Sequence, residues 1–106
     1  MIRSPFEAIA DPTRRAILDR LAESGPRRAG DLAKQFPGMS RPAVSKHLRV
    51  LRSAKMVRQE PRGREVWYIL DASPLIQINE WLIDYEHFWQ NRLERLKKSA
   101  ENSSVE

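Results

Sequence analysis

The side chains best equipped for chemistry in this chain are cations, and they are concentrated. Arg41, Lys46, Arg49, Arg52, Lys55, Arg58, Arg62 and Arg64 share one short segment with a single acid, Glu60, and no acidic residue stands between Arg41 and Gln59. Such a run presents charge and N–H donors to phosphates, or to the acceptor edge of guanine, so the chemistry it suggests is recognition of a polyanion. Charge by itself also suits a solvated helix face, and spacing has to separate the two readings. Covalent chemistry finds no support. The chain has two histidines, no cysteine and no glycine-rich phosphate loop. Ser45 and His47 are then the sole nucleophile and base near each other, and residues two apart on a helix point in different directions, so they form no dyad. No catalytic residue, no cofactor and no enzyme activity are expected.

The whole chain fits an anionic partner: 19 Lys and Arg against 14 Asp and Glu give a net charge of +5 and a pI near 10.1. The excess is localised. Residues 1–70 hold 15 basic and seven acidic side chains, a net of +8, whereas residues 71–106 hold four and seven, a net of −3. Its 106 residues, 41% apolar and 31% charged, are material for one domain. A chain of this size buries roughly 65% of its unfolded surface, a thin core that a partner's surface would complete. The longest apolar run, Val66 to Leu70, is far short of the ~20 residues of a membrane span, and Met1 to Glu7 lacks the apolar stretch of a signal peptide. Without cysteine there is neither a disulfide framework nor a thiolate metal site. Cytoplasmic residence, with no membrane partner, is the expectation.

Punctuation and periodicity show which elements hold the cations. Ser4-Pro5-Phe6-Glu7 reads as a capping box opening a short helix to about Ala10. Asp11-Pro12 repeats the device, and Ile17, Leu18, Leu21 and Ala22 form an apolar stripe until Ser24-Gly25-Pro26. A third helix covers Ala29 to Phe36, with Leu32, Ala33 and Phe36 inward and Asp31 near the positive end of its dipole. After Pro37-Gly38-Met39, Ser40 caps a fourth helix that tolerates Pro42 in its first turn and runs to about Ala54. Two helices joined by a short, glycine-containing turn make a helix-turn-helix candidate. Beyond it, Val57 to Pro61 and Glu65 to Leu70 are rich in β-formers and flank Arg62-Gly63-Arg64, which reads as a hairpin with a basic tip. Ser73-Pro74 then caps a last helix from Leu75 to about Lys98. The expected architecture is a mainly α, α+β winged helix-turn-helix: four N-terminal helices, a two-stranded wing and a long terminal helix. Residues 1–98 form one DNA-binding and dimerisation domain, and residues 99–106 a polar, frayed tail.

The fourth helix has two unlike sides. With Val44 at zero and about 100° per residue, Leu48 and Leu51 share its buried stripe and His47 sits at the stripe's edge. Pro42, Lys46, Arg49 and Ser53 occupy the far side, flanked by Ala43 and Ser45. Small side chains let a helix approach a groove closely, while Lys46 and Arg49 reach phosphates or base edges. That pairing of cations with small residues favours groove entry over a solvated face. Arg62 and Arg64, flanking Gly63, would touch the backbone or a minor groove beside the helix.

Three stretches carry a family resemblance: Asp11-Pro12-Thr13-Arg14-Arg15-Ala16-Ile17-Leu18, the run from Ser40 to Leu51 (Ser-Arg-Pro-Ala-Val-Ser-Lys-His-Leu-Arg-Val-Leu), and Gly63-Arg64-Glu65-Val66-Trp67-Tyr68. Together they resemble the arsenical-resistance-repressor (ArsR/SmtB) family of bacterial transcription regulators over residues 4 to 98. The resemblance implies a homodimeric winged-helix repressor, with the fourth helix as recognition helix and the last helix in the dimer interface. It carries over Ser45, Lys46 and Arg49 as DNA-facing positions and His47-Leu48 as part of a Ser-x-His-Leu signature. For His47 two roles stay open, a hydrogen-bonded structural histidine and a phosphate donor. The candidate DNA contacts are Ser40, Arg41, Pro42, Ala43, Ser45, Lys46, His47, Arg49, Arg62, Gly63 and Arg64.

Sensing departs from the family pattern. Metal-sensing members carry cysteines at the start of the helix before the turn, or Asp, His and Glu ligands along the terminal helix. Here the first region is Gly30-Asp31-Leu32-Ala33-Lys34-Gln35, without a thiol. The terminal helix offers Asp84, Glu86, His87 and Glu94 but a single histidine, with Arg or Lys where a second would stand, and a tetrahedral site needs about four well-placed ligands. No metal site is expected, and His87 is read as a surface or interface residue. The chain looks like the cysteine-free, metal-independent branch, whose members act as autorepressors or sense something other than metal.

Along the terminal helix Leu75, Ile78, Leu82, Tyr85, Trp89, Leu93 and Leu96 recur at spacings of three and four, close to a heptad seam, and Trp81 and Phe88, with Ile76 and Ile83, widen the apolar surface. A helix apolar on two sides must be covered on both, and a second copy of the chain is the expected cover. A sharper reading has the aromatics line a small-molecule pocket at that interface, for an inducer the sequence does not identify. The function expected is a homodimeric repressor or autorepressor on a palindromic double-stranded DNA operator. The competing reading, a dimeric protein-interaction module that has lost DNA binding, calls for acidic or bulky residues on the far face of the fourth helix, the opposite of what is written.

Overall fold

Prolines behind short polar caps start three of the described helices of this chain. The computed structural model describes residues 3–104. In order they form α1 (Pro5–Ala8), α2 (Pro12–Ser24), β1 (Arg27–Arg28), α3 (Ala29–Lys34), α4 (Arg41–Ser53), β2 (Val57–Arg62), β3 (Glu65–Leu70) and α5 (Leu75–Ser104). Ser4 accepts from the Phe6 amide at 3.1 Å, but the expected capping box stays half closed: the Glu7 carboxylate pairs with Arg3 at 2.9 Å instead. A charged partner one turn away outcompetes the Ser4 amide. Asp11 caps α2 by accepting from the Arg14 amide at 3.0 Å. The guanidinium groups of Arg14 and Arg15 then turn back onto α1 and its C-terminal turn, donating to the carbonyls of Ala8 (2.8 Å), Glu7 (3.1 Å) and Ile9 (2.7 Å). The Asp-Pro-Thr-Arg-Arg segment thus opens one helix and satisfies the orphan carbonyls of the one before.

The core joins Ala8 to Ile17, Leu18 and Leu21 of α2, Leu32 of α3, Val44, Leu48 and Leu51 of α4, and Ala54, Met56 and Val57 beyond it. Tyr68, Leu70 and Leu75 pack against this cluster from β3 and the start of α5. Each fully buried Leu or Ile contributes about 1.5–3 kcal/mol, so α4 is held chiefly by its apolar stripe. Ala22, expected on the stripe of α2, is exposed instead. α3 stops at Lys34 rather than Phe36, because Pro37 biases the residue before it away from helical backbone; Phe36 still packs on the core from the turn.

The antiparallel sheet has the order β1-β3-β2. β1 has no counterpart in the sequence reading: two residues, Arg27 opposite Tyr68 and Arg28 opposite Trp67, are too few to show a period-two pattern. β2 and β3 pair from Val57–Leu70 to Arg62–Glu65, leaving Gly63-Arg64 as the turn. Arg62 therefore belongs to β2 and not to the tip. Gly63 alone in that turn takes a positive φ, 64°, as the first position of a type II′ turn requires; its twist matches the strands it joins.

At the start of α5 the Ser73 hydroxyl and amide both donate to Asp71 Oδ1, at 2.7 and 3.0 Å, so an Asp71 turn rather than a Ser73 side-chain cap leads into the helix. α5 runs past Lys98 to Ser104, through residues expected as frayed tail, because Ser99 to Asn102 contain no glycine or proline and include the strong helix formers Ala100 and Glu101. Residues 105 and 106 of that expected tail lie outside the described residues. The span read as one domain divides into two compact units, Met1–Ile76 and Gln77–Glu106. The second takes in α5 from Gln77 on, and from Asn79 to Asn102 every residue is exposed.

Candidate nucleic-acid interface

The capped N-terminus of α4 and its buried stripe fix which side faces outward. Ser40 Oγ accepts from the Ala43 amide at 3.2 Å, and Val44, Leu48 and Leu51 are at most 1% exposed. With that stripe inside, Arg41, Pro42, Lys46 and Arg49 are exposed and Ala43 and Ser45 half-buried at the flanks. Among the described residues the ion pairs involve Arg3, Arg20, Arg28, His47 and Arg62, and neither Lys46 nor Arg49. Their charge is uncommitted. Arg41 lies over Gly30, where an added Cβ would stand 3.2 Å from its Nη2; the glycine leaves room for the guanidinium at the start of the helix.

His47 turns the other way. Its side chain is 21% exposed and its Nδ1 lies 3.9 Å from Asp11 Oδ2, beyond a hydrogen bond but within electrostatic reach. The Asp11 carboxyl is held below its ordinary value of 3.8, first by the Arg14 amide hydrogen bond and then, against the opposing cost of burial, by His47 and the Arg14 charge. His47 thus faces the cap of α2 from the recognition element's edge.

In the wing the structure separates Arg62 from Arg64. Arg62 stacks over the Trp67 ring at 4.8 Å and pairs with Glu60 at 3.5 Å. Arg28 approaches the same ring at 5.7 Å and pairs with Asp31 at 2.9 Å and Glu65 at 3.2 Å, while Trp67 Nε1 donates to Glu65 at 3.2 Å. These contacts brace the hairpin against the start of α3. Arg64, exposed in the turn beside Gly63, is the cation the wing extends.

Two groups escape sequence reasoning. The Arg28–Trp67–Glu65 brace needs β1, which has no legible pattern. Arg52, Lys55 and Arg58, which share an open groove with Arg49, belong in the sequence to the cationic segment suited to a polyanion but not to the candidate DNA contacts; their signal as a group is the spacing of three that runs from Arg49 to Arg58. On α5 the expected interface splits. Leu75 packs on the core and Ile78 is buried, whereas Leu82, Tyr85, Trp89, Leu93 and Leu96 are 49–62% exposed, as are Trp81 and Phe88 at 49% and 52%. No group of three or more His, Cys, Asp or Glu among the described residues is placed to hold a metal ion. None of the described helices is long and apolar enough to cross a membrane.

A helix-turn-helix with a cationic outward face, followed by a hairpin with an arginine at its turn, defines a winged-helix transcription regulator. Residues 9–60 match the helix-turn-helix domain family. The chain is 45% identical over 94 residues to the HTH-type transcriptional regulator Rv2034 of Mycobacterium tuberculosis, covering 86% of this chain and 83% of that one. It is 36% identical over 88 residues to the transcriptional repressor SdpR of Bacillus subtilis, covering 83% and 96%. The solved ArsR family transcriptional regulator RHA00566 superposes with a TM-score of 0.69 at 35% identity, over 80% of this chain and 91% of that one. The chain belongs to the ArsR/SmtB family of winged-helix transcriptional regulators, and it is a regulator, not an enzyme.

Proposed function

We propose that this protein is a homodimeric repressor that reads a palindromic operator with α4 in the major groove and the wing on the adjacent backbone or minor groove. The observation that carries this reading is the outward side of α4, where Lys46 and Arg49 stand exposed beside Pro42, Ala43 and Ser45 on a helix anchored by its opposite stripe. Small neighbours permit close approach, and the two cations reach guanine acceptors or phosphates. Ser40 and Arg41 start the helix near the backbone, Gly63 and Arg64 reach out from the wing, and Arg62 stiffens it. Leu82, Tyr85, Trp89, Leu93 and Leu96 offer a seam to a second copy, which would set recognition helices about 34 Å apart. His47 acts from behind, against the cap of α2.

Fluorescence anisotropy against duplexes recovered by operator selection tests this. The expected result is preference for a two-fold symmetric site over a scrambled duplex, with affinity falling linearly in log–log form as salt rises. Equal affinity for both duplexes, or indifference to salt, would refute it.

A further inference from the structure

We propose that Arg52, Lys55 and Arg58, together with Arg49, form a second phosphate-binding groove that holds the DNA backbone where α4 leaves the major groove. The proposal rests on the DNA-reading role of α4. Between the last turn of α4 and the start of β2 lies an open groove of about 640 Å³, with these four cations on its walls and Asp71 as its single acid. The Asp71 carboxylate stays ionised, held so by the Ser73 amide and hydroxyl that donate to it and by the Arg58 charge, and the lining is still four cations against one anion, so an incoming anion meets mainly positive charge. Arg49 belongs both to the outward side of α4 and to the groove wall, which makes the two surfaces continuous.

A backbone feature points the same way. α4 ends in a Schellman motif: the Met56 amide donates to the Leu51 carbonyl at 3.0 Å and the Lys55 amide to the Arg52 carbonyl at 2.9 Å. Its left-handed position, φ 60°, is one that glycine fills without a steric penalty, yet it is occupied by Lys55. The chain accepts strain there and gains a cation on the groove wall. The shape and lining select the ligand. The groove is open along its length, as suits a strand passing by, and no aromatic side chain lines it to stack a base. Its contacts are therefore to phosphate and independent of sequence.

Lys55→Gly and Arg52→Gln, titrated by anisotropy against a selected operator and a scrambled duplex from ~50 to 200 mM salt, test the groove. We expect each variant to flatten the log–log salt slope by about 0.9 for every phosphate it no longer neutralises, with the same fractional weakening on both duplexes. Glycine suits the left-handed position, so the melting temperature of Lys55→Gly should match or exceed that of the parent, which separates impaired binding from impaired folding. Parent-like slopes in both variants, or a weakening confined to the operator, would overturn the proposal. A parent protein without salt-dependent duplex binding would strike the DNA-reading role itself; a parent that binds steeply while both variants match it removes the groove alone.

Discussion

At Lys46 and Arg49 the protein presents charge that pairs with no carboxylate among the described residues, which distinguishes them from Arg28 and Arg62 in the sheet. Replacing Arg49 with Ala should weaken operator binding by about 1–3 kcal/mol and relax discrimination at one base pair, if the guanidinium reads a base edge. An unchanged preference profile in operator selection with that variant would place Arg49 on phosphate only. Asp11 serves the fold, through the Arg14 amide. As the cap of α2 it should cost about 1 kcal/mol of folding stability when replaced by Ala, measured by urea denaturation at neutral pH. Its carboxyl is held below 3.8 in the folded state, so its contribution is present above that pH and is lost as pH falls through the lower folded value. The stability difference between parent and Asp11→Ala should therefore shrink in acid below about pH 3.8; a gap that stays constant into strong acid would contradict the capping role. Both residues could be singled out from the sequence, because caps and free cations follow local rules. The commitment of Arg62 to Trp67 could not, since it depends on strand register.

Among the elements, α4 and α5 pose opposite problems. α4 buries one stripe completely and keeps the other side polar, as a helix docked on its own body does. α5 leaves Trp81, Tyr85, Phe88, Trp89, Leu93 and Leu96 at least 49% exposed. Contiguous apolar surface of that kind marks an interaction site on a soluble protein. Trp89→Asp should shift the sedimentation coefficient of the parent species toward that of a single chain; identical sedimentation of parent and variant would remove this seam from the interface. The wing is an element whose order depends on Gly63 for its turn and on Arg28, Glu65 and Trp67 for its bracing. Its hairpin was legible as β-formers around a glycine. Its third strand was not, because a pair of arginines carries no periodicity.

For the molecule as a whole, charge and apolar surface are segregated: net +8 lies in residues 1–70, while the exposed aromatic helix belongs to residues 71–106 with a net of −3. One part is suited to a polyanion and the other to a neutral, apolar partner. If that partner is a second copy, folding and association are linked, and the melting temperature should rise with protein concentration. A constant value across a hundredfold dilution series spanning about micromolar would argue against an obligate dimer. The sequence by itself determined the order of the helices and of the β2–β3 hairpin, the helix starts at Ser4, Asp11 and Ser40, the inward stripe of α4 and therefore the outward placement of Lys46 and Arg49. These are consequences of caps and of a 3.6-residue period, both local in the chain. Only the tertiary structure decided that Arg62 is spent on Trp67, that Ile78 is buried while the seam from Leu82 on is exposed, and that Lys55 turns left-handed beside Arg52 and Arg58. Each of those depends on residues brought together by strand pairing or by the close of a helix, where register and backbone geometry, not residue type, select the neighbour.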